Sequence, residues 1–202
     1  MGMEFNLVNS IQFFSYISPL LLGFFIVMTS FFNKNVKGVI YLAGVLLFSF
    51  VGVALKPLIG SKTSMDAHPS CNLFDIGDNT YNSPPFHSLF IAFTFTYLAM
   101  PMINGGVTNY YVLLAILILF FMDTFTKITN KCTTPLGAFL GGMFGVLFGI
   151  SYWALFRYTG NEKLLFFQLE GSNNVVCSRP SKQTFRCNVY KNGKLIKSTL
   201  NE

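Results

Sequence analysis

Charge and histidine are both scarce in this chain. Only 11% of its 202 residues are charged, eight of them are acidic, and there are two histidines. So few groups leave little for acid–base chemistry. His68, His87, Cys71 and Cys132 contain no closely spaced ligand pair, so neither a metal site nor a cofactor is expected. The scarcity of charge also excludes an ordinary soluble domain: 52% of residues are hydrophobic and 24 are Phe. No inverted repeat is visible, and only Asp123 approaches the interior of an apolar run, near its end. A solute or lipid transporter is therefore disfavoured.

What is present is a series of long apolar runs. A membrane span needs about 20 mostly apolar residues. Five segments qualify, at roughly 11–32, 38–59, 86–103, 110–126 and 134–157. The expected fold is an all-α polytopic helix bundle over residues 1–158, with a small basic β-rich tail over 159–202. Met1–Phe5 carries Glu4 and no Lys or Arg, so no cleavable signal peptide is expected. The myristoylation pattern at Gly2 is incomplete, because Asn6 stands where Ser or Thr is preferred. Residues 3–15 are candidates for a short interfacial helix before the first span.

Five spans put the N-terminus and the loops at 60–85 and 127–133 on one face, and the two short turns and the tail on the other. The first face carries four lysines against five acids, a balance of −1. The second carries ten basic residues against three acids, a balance of +7. The positive-inside rule then places the tail in the cytosol or its equivalent. The net charge of +6 reads as an orientation and membrane-surface signal, with the lipid bilayer as partner and no nucleic acid.

The four cysteines fall as two pairs. Cys71 and Cys132 share the outer face and are candidates for a bridge in an oxidising compartment. With the orientation reversed, Cys177 and Cys187 become the pair, and the sequence leaves this open. In the tail, Lys163–Leu169, Val175–Cys177, Thr184–Tyr190 and Leu195–Leu200 read as strands of a meander. Asn192-Gly193 supplies a type I′ turn.

Residues 127–149 carry the densest signal. Gly137, Gly141, Gly145 and Gly149 recur every four residues on one helix face, a spacing that lets helices approach closely, within the chain or between copies. Three nearby segments resemble the signatures of the type-2 phosphatidic acid phosphatase superfamily, over residues 50–150. Ala54-Leu-Lys-Pro-Leu-Ile-Gly resembles the first, with Lys56 on the phosphate-binding position; the following Arg-Pro has only His68-Pro69 as an echo. Pro84-Pro-Phe-His-Ser resembles the second, with His87 as the general acid and Phe86 in place of a Gly. In the third, Thr126-Lys127 stands for Ser-Arg, Thr133 for the nucleophilic His, and Gly137 for the Asp that orients it.

The resemblance implies the fold and a pocket of Lys56, His87, Lys127 and Thr133; the substitutions imply that the chemistry is gone. Thr133 has no identifiable base, Gly137 orients nothing, and Lys127 lacks the planar fork of Arg. Each residue also has a plainer reading. Lys56 and Lys127 suit helix ends from which they would snorkel, Asp123 sits four residues before Lys127 as a helix-end pair, and His87 suits a cap or loop contact. The expected function is a catalytically inactive, phosphatase-like membrane protein with a structural or scaffolding role. It would serve as an accessory subunit of a membrane complex or as a viral internal-membrane protein, contacting other membrane proteins or itself. The alternative is a divergent lipid-phosphate phosphatase or lipid-headgroup binder.

Overall fold

A computed structural model describes residues 6–68, 71, 80–106, 108–167, 186–191 and 194–200. The chain divides into two units, Met1–Leu169 and Glu170–Glu202. The first holds five helices: α1 (Leu7–Phe32), α2 (Lys37–Ile59), α3 (Phe86–Asn104), α4 (Tyr110–Thr129) and α5 (Pro135–Tyr158). All five are long and apolar enough to cross a membrane. The chain is thus an all-helical, multi-pass bundle over this unit, suited to contact with lipid on its outer faces.

Local chemistry sets the helix ends. α2 stops at Gly60, whose φ of 68° is the left-handed cap that glycine adopts without strain. α4 begins at Asn109, whose side chain accepts from Val112 N, and α5 at Thr134, which accepts from Gly137 N with Pro135 at the first helical position. α1 starts at Leu7 and runs unbroken past residue 15, so the described part of the expected interfacial helix is simply the first turns of the span. The helix runs through Asn9, Ser10 and Gln12 without a break, and Asn6 extends ahead of it as the N-cap.

α3 is the axis of the bundle. Of its most apolar window 78% is buried, against 22–33% for the other four helices. A helix apolar on every side needs burial on every side. Phe90, Phe93 and Tyr97 of α3 pack on Tyr41 and Phe48 of α2, with the rings of Phe48 and Phe93 4.6 Å apart. The glycine ladder seats α5 on this axis. A Cβ at Gly145 would fall 2.5 Å from Leu89 O, and one at Gly149 would fall 2.6 Å from Thr96 Cβ. Gly141 meets Pro85 and Ser88, and Gly137 meets Ser83 and Thr133. Of the two uses open to the ladder, close packing within the chain is the one these contacts display.

The tail departs from expectation at its start. Lys163–Leu169 is not a strand over its described residues. Glu162–Leu164 is a 3-10 turn, with Leu165 and Phe166 buried and the Phe166 ring edge-on to Tyr97. The run Leu164-Leu-Phe-Phe lacks the polar–apolar alternation of a half-buried strand, and it closes over the end of α3 instead. In the second unit, β1 (Arg186–Lys191) pairs antiparallel with β2 (Lys194–Leu200), from Arg186 opposite Leu200 to Lys191 opposite Lys194. The described residues therefore display one antiparallel pair and not a four-stranded meander. Val175–Cys177 and the Asn192-Gly193 turn lie outside the described residues.

Candidate functional site

Five chain segments meet at the end of the bundle that carries the long loops. α2 delivers Lys56 from its last turn, α3 delivers His87 from its first, and α4 delivers Asp123 and Lys127. The α4–α5 connection adds Thr133, and α1 adds Ser15 and Tyr16. Charged side chains at helix ends usually reach water, but here relative exposure is 2% for Lys56, 1% for His87, 0% for Asp123 and 3% for Lys127. The two lysines are buried and do not snorkel, and the loop carrying Cys71 contacts Lys127.

The centre of the cluster is a carboxylate that joins three helices. Asp123 Oδ1 lies 3.0 Å from His87 Nδ1 and accepts a hydrogen bond of 2.9 Å from Ser15 Oγ. An ionised carboxylate makes Nδ1 the donor. A buried charge needs such partners, since removing it from water without them costs several kcal/mol. Asp123 Oδ2 and His87 Nε2 are buried and have no hydrogen-bond partner among the described residues.

Two expectations are overturned here. Asp123 does not pair with Lys127, although they are one helical turn apart. It turns to α3 and α1, while Lys127 Nζ donates to Cys71 O at 3.4 Å and sits 5.1 Å over the Tyr16 ring. His87 is neither a cap nor a loop contact; α3 has no side-chain cap at its start, and the imidazole points inward to Asp123.

A covalent lid covers the cluster. Cys71 and Cys132 form a disulfide that ties the α2–α3 loop to the α4–α5 connection. Around it, Asn130 Nδ2 donates to Tyr16 Oη at 2.7 Å, and His68 N donates to Asn130 O at 3.2 Å. Ser61 and Ser83 both donate to Asn82 Oδ1, at 2.7 and 3.0 Å. Thr133, 5% exposed, donates to Asn82 O at 3.2 Å, with Gly137 packed beneath it. Cys177 and Pro69 lie outside the described residues, so neither a Cys177–Cys187 pair nor the full His68-Pro69 echo is described.

Lys56, His87, Lys127 and Thr133 are thus gathered at one end of the bundle, but they do not share one hydrogen-bonded setting. His87 and Lys127 belong to the Asp123–Tyr16 cluster, whereas Thr133 belongs to the Asn82 network. Thr133 already spends its proton on a backbone carbonyl, and no described base grips its hydroxyl. Among the described residues, no three of His, Cys, Asp and Glu converge to hold a metal ion.

The residues that the motif reading missed are Asp123 as the partner of His87, and Ser15. A signal for Asp123 was present. Ile116, Phe120, Asp123 and Lys127 fall on one helical stripe, and the inward face of that stripe carries both charges. Ser15 has no comparable signal. No protein-family model matches the chain, and no curated protein or solved structure matches it either.

Proposed function

We propose that this chain is an integral membrane protein with a structural, scaffolding role in a larger membrane assembly, built on a phosphatase-like arrangement that has lost its chemistry. The observation that carries this reading is the Ser15–Asp123–His87 node. His87, which the phosphatase resemblance would place in an open phosphate pocket, is instead buried and bonded to Asp123, which Ser15 also holds, near the loop that the disulfide ties down. The role fits an accessory subunit of a membrane complex or a protein of a viral internal membrane. Its partners are then the bilayer and neighbouring membrane proteins, including copies of itself. The tail, read as a small basic β module, faces the cytosol or its equivalent. The disulfide-bearing loops face the opposite, oxidising side.

One observation favours a second reading. A carboxylate on Nδ1 leaves the Nε2 lone pair of His87 as the reactive atom, the arrangement that activates a histidine nucleophile or base. A divergent lipid-phosphate phosphatase would use it with Lys56 and Lys127 as phosphate contacts. The deciding experiment measures phosphate release from phosphatidic acid by the purified chain and its His87→Ala variant, with native-gel migration of the chain extracted from its own membrane. The structural reading expects no release from either protein and migration far above 22.6 kDa. Release that disappears in His87→Ala would overturn it.

A further inference from the structure

In the second unit the register of β1 and β2 gathers charge onto one face. Residues 171–201 carry six basic residues and no acidic one, and four of the six, Arg186, Lys191, Lys194 and Lys197, lie in the hairpin. In a regular strand Lys194 and Lys197 would stand on opposite faces, because successive positions alternate. Here they share one. Lys191 pairs with Lys194, and Val189, on the same face as Lys191, pairs with Lys197. The register shifts between Val189 and Tyr190, which makes Ile196 an extra residue on β2, a bulge of the kind that re-aims a strand. Three lysines are therefore cross-strand or diagonal neighbours on one face, while the other face pairs Tyr190 with Leu195 and Arg186 with Leu200.

Like charges opposite one another destabilise a sheet, and a two-stranded hairpin alone is marginal in water. Such a face calls for an anionic surface, and no acidic residue within 171–201 supplies one. Chain connectivity brings another. The hairpin follows α5, a helix long and apolar enough to cross a membrane, and residues 159–185 are the whole of the connection. Contact with a leaflet is then an intramolecular event, favoured by high effective concentration. Each Lys or Arg close to an anionic leaflet strengthens binding about fivefold. We infer that the face carrying Lys191, Lys194 and Lys197 docks on the headgroups of anionic phospholipids. The inference requires that the chain spans a membrane; it does not require the scaffolding role.

The test places the full chain in lipid nanodiscs and reads amide hydrogen exchange over residues 186–200. One set of discs is phosphatidylcholine alone; in the other, a third of that lipid is replaced by phosphatidylserine. Both leaflets of a disc carry the same lipid, so the result does not depend on which way the chain crosses. Exchange should be at least roughly tenfold slower in the phosphatidylserine discs, since three lysines together are worth about a hundredfold in binding. High salt should erase the difference. Combining Lys191→Gln, Lys194→Gln and Lys197→Gln should also erase it, whereas Arg at all three positions should keep it. Lys34→Gln with Lys37→Gln, in the α1–α2 turn, should leave it unchanged. Equal exchange in the two discs overturns the inference, as does a difference that survives in the triple Gln variant. Duplex DNA that slows exchange in phosphatidylcholine discs more than phosphatidylserine does would also overturn it, and would assign the face to nucleic acid.

Discussion

The two ends of the bundle are held together by different means. At the loop end, a disulfide, a three-helix carboxylate node and the Asn82 and Asn130 networks fix which residue meets which. At the tail end, apart from the local Ser30–Asn35–Gly38 network of the α1–α2 turn, contacts are mostly apolar or exposed. Leu165 and Phe166 cap α3, Arg157 reaches Asn104 from a half-exposed position, and Tyr110, Tyr111 and Tyr158 face outward like the aromatic belt of a membrane interface. Apolar packing tolerates sliding, because one methylene contact resembles the next. A buried carboxylate tolerates only the geometry that satisfies it. The loop end therefore specifies register, and the tail end supplies bulk.

Substitutions at the two ends should separate these contributions. Cys132→Ser opens a bridge spanning 61 residues, a loop worth up to about 4 kcal/mol by chain entropy. A marked fall in detergent unfolding temperature is expected, with faster proteolysis of the loops; unchanged proteolysis would deny the disulfide its part as a lid. Asp123→Ala leaves His87 and Ser15 buried without their acceptor and should cost about 3 kcal/mol. Asp123→Asn, which keeps an acceptor, should cost visibly less. If the two variants unfold alike, the node is not what joins α1, α3 and α4.

Gly145→Val forces α5 off Leu89 O and should cost about 2 kcal/mol. The same change at Gly60 or Gly106 would leave the α3–α5 seam untouched, so a cross-link between those helices reports the ladder alone. The smallest effect belongs to the tail end. Arg157→Ala removes exposed contacts to Asn104 and Glu162 and should change stability by under about 1 kcal/mol. A loss there as large as that of Asp123→Ala would erase the distinction between the ends.

Much of the architecture was legible because membrane burial writes itself into composition. Five apolar runs of sufficient length can satisfy their backbone only as helices, and the helix limits fall within a few residues of those runs. The glycine ladder was legible as packing because small residues at four-residue spacing have few other uses. The site was legible only in part. Lys56, His87, Lys127 and Thr133 could be nominated from local motifs, but local spacing paired Asp123 with the wrong partner. A helix neighbour at i+4 is always available on paper, while a partner on another helix becomes available only after packing. The run Leu164-Leu-Phe-Phe misled for a similar reason, since an apolar stretch does not declare whether it pairs in a sheet or caps a bundle.

By itself the sequence determined that the chain carries five runs able to cross a membrane and roughly where each begins and ends. These follow from transfer free energies that depend on each residue's own chemistry. Only the tertiary structure decided that α3 is the axis, that the ladder faces α3, and that Asp123 turns to His87 and Ser15 while Lys127 turns to Tyr16 and Cys71. Those choices depend on which atoms the fold brings within about 3 Å of one another, a property of the packed helices together and of no single segment.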